Sequence, residues 1–560
     1  MIRLYILIIL VRVASLGYAQ IVDINVDCAQ VIGKIRSLQG MNAGPMAHYP
    51  LWPDLIAQYQ EIGVDYVRTS GVIRWTMDTV RTLPWDIHFI FPDSLADPAD
   101  PSNYNFAPAD SQIQTIIETG AKPFIRFGYS ALGQLPAVRY IRPEYRRTWA
   151  EICKHIIMHY NDGWANGFNY NIEYFEIWNE PNNFTFWAGT QLEYFQLYDT
   201  TARVLKTYNP NLKIGGPATA GVGIDWIAGL LIYCYNHNVP VDFVSWHVYS
   251  NTAIIDAYKV VRSSMRVQHV LDTLGFSIPH YLTEWNLSDS GGTGPDEYGY
   301  NITGGAFTAS FLIYMQNTTT DKAFRYRGPE ADTSFGAWFY DGTYKKPAYA
   351  FLAFKKVLET PIRLHCTGSD TLGYATIAGK SAGGDTISIL ISDVKSSNSG
   401  YNLTVRNLPW GHSGFTYQRY LLDSLHNLEL VETGNYFDSR FATQETMIAP
   451  SVQFIRLIKR QPPSVSEKPT NGTTSYELYQ NYPNPFNPTT TIRFSLPRRQ
   501  HATLKVFDVL GREVATLVNG ELNAGEHSVV YDAEDLPSGL YFYRLSSSHG
   551  TCVKSALLLK

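Results

Sequence analysis

The sequence predicts an α/β protein: a (β/α)8 barrel that carries an accessory β-sandwich and a separate C-terminal immunoglobulin-like all-β module. Three observations support this. From residue 20 to 358, short apolar runs alternate with longer helical stretches, the rhythm of strand and helix in turn. From 359 to 460 the texture changes to short β-rich runs separated by Gly, Asn and Ser. Residues 461–475 contain no large apolar side chain except Val465, so they read as a linker ahead of a small β-module at 476–560. A chain of 560 residues is too long for one hydrophobic core, which agrees with several domains.

Eight apolar runs supply the barrel strands. The first ends at Gly40–Met41, the second is Tyr66–Thr69, the third Pro123–Phe127 and the fourth Tyr174–Trp178. The fifth is Leu212–Gly216, the sixth Asp242–His247, the seventh His280–Thr283 and the eighth Ala337–Phe339. Between the third and fourth, Trp149, Ile152, Cys153, Ile156 and Tyr160 recur at 3–4 spacing and predict an amphipathic helix over 145–160. In the sandwich, Thr386–Ile391 and Val452–Leu457 read as strands, and Ile21–Val26 is placed to join them as its first strand.

Bulk properties narrow the function. A net charge of −5 lacks the basic excess of a nucleic-acid binder. Aromatic residues make up 14% of the chain, and aromatic faces stack on the C–H faces of sugars as well as filling cores. Residues 1–19 have the form of a signal peptide: Arg3, an apolar run Leu4–Val11, and Gly17 and Ala19 ahead of a cut near Gln20. That run is too short to span a bilayer and no later segment reaches the required length, so export without a transmembrane segment is expected. The five cysteines are scattered, with no C-x-x-C pair, so neither a zinc ribbon nor a disulfide scaffold is indicated.

Two glutamates stand where barrel chemistry is done. Glu180 follows the fourth strand in Trp178-Asn179-Glu180-Pro181-Asn182, and Glu284 follows the seventh in Leu282-Thr283-Glu284-Trp285. Functional side chains of parallel barrels stand at the carboxyl ends of strands, and strands four and seven face each other across the mouth. A converging carboxyl pair is what hydrolysis of a glycosidic bond requires: an acid for the leaving oxygen and a carboxylate across the ring.

Other motifs are absent or broken. His155 and His159 have helical i, i+4 spacing but lack the glutamate of a zinc protease, and Gly379-Lys380-Ser381 follows Gly373 at the wrong distance for a phosphate loop. There is no G-x-S-x-G or G-x-G-x-x-G. Neither a metal nor a cofactor is expected.

The strand-four segment, with Phe186-Trp187 after it, resembles the acid/base motif of glycoside hydrolase family 39. Gly215–Ala220, Asp242–Tyr249, Leu282–Trp285 and Lys346–Tyr349 are similar to further motifs of that family, in the right order. The resemblance implies a retaining glycosidase in which Glu180 is the acid/base, held protonated by a raised pKa, and Glu284 the nucleophile. It implies Asn179 on the sugar 2-hydroxyl and His247 and Tyr249 projecting into the site. Trp338 would floor the sugar site, Trp187 would line the leaving-group side, and Arg68 would belong to the substrate-binding set; the alternative for Arg68 is a structural role, buried beneath the site and paired with a carboxylate. The family usually shows a histidine near that arginine. Here the segment is Arg68-Thr69-Ser70-Gly71, which leaves the preference for xylosides or iduronides open.

Residues 476–560, opening on Tyr482-Pro483-Asn484-Pro485-Phe486-Asn487-Pro488 and closing near Gly539–Leu545, resemble the type A sorting domain of the type IX secretion system. This implies secretion or attachment at the outer cell surface, with the secretion machinery as a partner beside an oligo- or polysaccharide substrate. Two alternatives stay open: an endo-glycanase of another family in the same clan, and a non-catalytic carbohydrate-binding surface protein.

Overall fold

In the computed structural model the described residues are 20–560, apart from 46, 49–52, 71, 74–80, 83–84, 130–138, 253, 289–296, 331–334, 411–413, 437 and 461–475. The expected signal peptide and linker therefore lie outside the described residues. Between Arg460 and Gln461 the chain divides into two compact units.

The first unit is built on a closed parallel barrel of eight strands. In chain order they are Gly40–Asn42, Tyr66–Arg68, Lys122–Phe127, Tyr174–Ile177, Lys213–Thr219, Phe243–Asn251, His280–Ser288 and Lys322–Arg325. Seven coincide with the runs picked from the sequence. The eighth does not: Lys322–Arg325 closes the barrel between strands seven and one, and Trp338–Phe339 pairs with Pro329–Glu330 in a separate ladder. Charged residues at both ends of Lys322-Ala323-Phe324-Arg325 concealed a buried strand. Lys322 is accommodated by its position 4.6 Å from the ring centroids of both Tyr66 and Tyr174.

Alternation along the staves fills the interior in layers. Phe124, Phe243, Tyr281 and Phe324, from strands three, six, seven and eight, form the lower layer with Tyr66 and Tyr174 at its edge. Room for Phe243 comes from Gly215 on strand five, because a Cβ there would stand 2.4 Å from the Phe243 carbonyl oxygen. Two residues further along the same staves stand Arg68, Arg126 and Glu176, each buried.

Helices cover the outside. The predicted amphipathic helix is found at Arg146–Asn161. The next, Gln191–Tyr208, starts on a capping box in which the Thr190 hydroxyl accepts from the Glu193 N–H and the Glu193 carboxylate from the Thr190 N–H, worth about 1 kcal/mol. Helix Ile302–Met315 is apolar all round, and every residue but Thr303 is buried. It lies between the barrel and a nine-stranded sheet, where the Tyr314 hydroxyl donates to the Tyr374 carbonyl at 3.0 Å.

That sheet runs in the order 427–436, 415–422, 451–459, 386–393, 374–380, 362–366, 21–34, 400–406, 441–446. Its opposite ends meet, with the Tyr417 and Phe441 rings 4.9 Å apart, so it curls over a core of its own as a sandwich. Ile21–Lys34 lies within it, paired antiparallel to Ile362–Cys366 and parallel to Gly400–Arg406.

The second unit is all-β. A three-stranded sheet (Glu477–Leu478, Thr489–Leu496, Gly525–Asp532) and a four-stranded sheet (Gln500–Phe507, Glu513–Leu522, Gly539–Ser547, Gly550–Leu558) enclose a core that includes Phe494, Leu504 and Tyr543. No described helix is long and apolar enough to cross a membrane.

Candidate active site

Strand seven aims Glu284 by breaking its own alternation. Leu282 pairs with Trp246, yet Glu284 pairs with His247, so Thr283 is an extra residue on strand seven. Such a bulge shifts the phase of the side chains. Tyr281 can then sit in the lower layer and Glu284 still turn into the mouth, while Trp285 stacks outward on Phe311 at 4.4 Å.

Strand four ends in a tight turn. Trp178 (φ 76°) and Glu180 (φ 46°) occupy the left-handed region, a conformation that costs a non-glycine residue about 1–3 kcal/mol and has to be held by its surroundings. The Glu180 N–H donates to the Ala218 carbonyl at 2.9 Å, and the Trp178 ring is wedged between Trp149 and Trp187. The Asn182 side chain ties this turn to the end of strand five, donating to the Ala220 carbonyl and accepting from the Ala220 N–H.

The two carboxyl groups converge. One oxygen of Glu180, one oxygen of Glu284 and a ring nitrogen of His247 all lie within 4.8 Å of one another. His247 Nδ1 is 2.8 Å from Glu180 Oε1 and 3.6 Å from Glu284 Oε2. Asn183 Nδ2 donates to Glu180 Oε2 at 3.1 Å, and the Tyr249 hydroxyl donates to Glu284 Oε2 at 2.6 Å. Arg68 lies beneath as a hub. Its Nη1 donates to Glu284 Oε1 at 2.8 Å and to Asn42 Oδ1 at 3.0 Å, its Nη2 to Asn179 Oδ1 at 2.8 Å, and its Nε to Glu176 Oε2 at 2.7 Å. The spacing of the Glu180, His247 and Glu284 atoms would also suit a cation, but Arg68, Tyr249 and Asn183 already donate to these carboxylates, so the set is a hydrogen-bond network.

Electrostatics correct one expectation. Burial pushes the Glu180 carboxyl up, but the hydrogen bond and charge of His247, with Asn183 and Arg68 behind them, outweigh it and hold the group below the ordinary glutamate range. The raised value expected from the sequence is therefore not found, because the histidine that strand six brings to Glu180 was not weighed against burial. Burial, then the neighbouring Glu284 charge, drives the Tyr249 phenol far above its usual value, so it remains a donor. Burial lowers Arg68, but Glu176 and Glu284 more than restore it.

Of the residues singled out in the sequence, the structure thus brings Glu180, Glu284, Asn179, His247, Tyr249 and Arg68 into one network. It does not bring in Trp187 and Trp338 as open platforms. Trp187 is 1% exposed and donates through Nε1 to the Thr190 carbonyl, and Trp338 is 0% exposed and packs on Tyr59 at 4.9 Å. Asn42, Glu176, Arg126 and Asn183 were missed. A charged residue in the middle of an otherwise apolar stave, as in Tyr174-Phe175-Glu176-Ile177, was the signal that could have found Glu176 and Arg126.

Residues 27–337 match glycosyl hydrolases family 39. The chain belongs to that family. Similar relatives of this family 39 chain are a beta-xylosidase of Caldicellulosiruptor saccharolyticus, 30% identical over 48% of this chain and 57% of that protein, and a beta-xylosidase of Geobacillus stearothermophilus, 29% identical over 41% and 48%. The chain spans about half the length of these relatives. Among solved structures it is similar to a glucosidase from Croceicoccus marinus, with a TM-score of 0.66 and 26% identity over 79% of this chain and 100% of that one. Residues 480–558 match a secretion system C-terminal sorting domain, the mark of a secreted or cell-surface protein.

Proposed function

We propose that this family 39 chain is a retaining glycosidase in which Glu284 is the nucleophile and Glu180 the acid/base, with β-xyloside-type action as the first substrate class to test. The observation that carries this reading is the convergence of the two carboxyl groups, one oxygen of each lying within 4.8 Å of one oxygen of the other. Double displacement needs a separation of about 5–5.5 Å, whereas inversion needs about 6.5–9.5 Å to seat a water. The substrate class follows the two relatives named beta-xylosidases. In the first step Glu284 attacks the anomeric carbon, the glycosidic C–O bond breaks, and the leaving oxygen takes the proton of Glu180. In the second, water attacks the same carbon, gives its proton to Glu180 and frees Glu284.

The remaining roles follow from the hydrogen bonds. His247 Nδ1, 2.8 Å from Glu180 Oε1, positions the carboxyl group that gives and takes the proton. Asn179, its carbonyl oxygen held by Arg68, is left its N–H donors for the sugar 2-hydroxyl. Arg68 and Tyr249 hold one oxygen each of Glu284 and fix its direction of attack. We also propose the domain division 20–358, 359–460 and 476–560, with the strand 21–34 joining the sandwich of the second domain and secretion machinery acting on the last.

The test is hydrolysis of a panel of nitrophenyl glycosides, with the anomer first released from the preferred one followed by proton NMR. The β-xyloside should be cleaved with retention. Release of the inverted anomer, or no cleavage of any glycoside, rejects the reading.

A further inference from the structure

Arg68 and Glu176 are both 0% exposed, and Arg68 Nη2 stands 2.6 Å from Glu176 Oε2. Glu176 touches neither the Glu180 nor the Glu284 carboxylate directly in this network; its link to the reacting groups runs through Arg68. Taking the partner from a buried ion pair is costly, because the remaining charge is left uncompensated. On the reading that Glu284 is the nucleophile, its carboxylate becomes a neutral ester when the glycosyl-enzyme forms. Arg68 then loses the charge it faces through Nη1 and would be left a buried cation with no anion, had it only Glu284. We infer that Glu176 is the permanent counter-ion of Arg68, a positioning residue that holds this guanidinium on Glu284 while the charge of Glu284 is consumed and restored.

The surroundings leave this task to Glu176. The charged and titratable groups facing Glu284 are Arg68 from strand two, Glu180 from the strand-four turn, and His247 and Tyr249 from strand six. Arg126 from strand three faces Arg68 and Glu176 but has its own partner in Asp86, 3.4 Å away, and Arg325 from strand eight is felt only through Tyr249. Glu180 already answers to His247. Asn42 and Asn179, the other groups on Arg68, are neutral. Glu176 also shares the pull of Arg68, so that the full positive charge does not fall on the nucleophile.

The experiment uses the full-length protein, a 2-deoxy-2-fluoro glycoside that traps the glycosyl-enzyme, and the pH profile of kcat/KM. In Glu176→Gln the side-chain shape and a hydrogen bond to Arg68 survive, but the charge is gone. The acidic limb should then move to lower pH by about one unit, because Arg68 acts on Glu284 alone. The trapped adduct should be lost several-fold faster than in the wild type, because it now contains an uncompensated cation. Glu176→Asp, which keeps the charge but draws it back, should move both readouts the same way by less, and it serves if the glutamine variant does not fold. An adduct on Glu284 with neither readout moved in a folded variant overturns the role of Glu176 alone. No adduct on Glu284 in the wild type overturns the nucleophile assignment, and this inference with it.

Discussion

The lower and upper layers of the barrel interior are built by the same staves two residues apart, yet they are stabilised in opposite ways. Tyr66, Phe124 and Tyr174 below become Arg68, Arg126 and Glu176 above. The lower layer is held by ring packing, with Phe124 and Phe324 at 4.9 Å, and it tolerates one cation, Lys322, over three tyrosine rings. The upper layer is held by ion pairs and hydrogen bonds that compensate one another, and its polar atoms are not all satisfied: Glu176 Oε1, Arg126 Nη1 and His247 Nε2 are buried with no protein partner. Stability is concentrated in the first layer and chemistry in the second, and one strand periodicity serves both.

Four measurements sharpen or break this contrast. The largest effect belongs to Glu284→Ala, which should abolish turnover of every glycoside while leaving the thermal midpoint close to wild type; unchanged hydrolysis would remove the upper layer from the reaction. Next, Glu180→Ala should slow substrates with poor leaving groups by about 10²–10⁴-fold and activated nitrophenyl glycosides far less. An equal loss on both kinds would show that Glu180 is not the proton donor. In the lower layer, Phe324→Ala should cost about 3–5 kcal/mol of stability in denaturant titration while the pH profile of the remaining activity keeps its shape. A displaced profile with full stability would mean that the layers are not separate. The smallest effect is expected from His247→Asn. Burial raises Glu180 and His247 opposes it, so removing the histidine should shift the alkaline limb of kcat/KM to higher pH. A shift to lower pH contradicts the pairing.

The sequence made the layer of chemistry more legible than its supports. Glu180 and Glu284 announce themselves because they follow apolar runs and sit in compact Trp/Asn-containing segments. Arg68 was visible as a residue near the site, but its fourfold contact set was not, since its partners come from strands one, four and seven and their register is a property of the closed cylinder. Lys322–Arg325 escaped for a related reason. A strand of four residues with a cation at each end carries little apolar signal, and only the tyrosines that converge on Lys322 from strands two, four and seven explain how its half-buried ammonium is held. Trp338 was misplaced by the opposite error, because a Trp-Phe pair looks like a core strand wherever it lies. The bulge at Thr283, which makes Glu284 face inward, leaves no mark in composition at all.

The strand Ile21–Lys34 has a consequence for anyone who shortens this protein. It precedes the barrel, but its hydrogen-bonding neighbours are 362–366 and 400–406, more than three hundred residues later. Translation therefore delivers one edge of a ladder long before its mates exist, and the α/β cylinder is synthesised as an insertion between them. A product ending at residue 358 would retain this strand with both sides bare, a template for aggregation. Genetic dissection that aims at a minimal hydrolase should keep the chain through Lys459 or remove residues 21–34 as well.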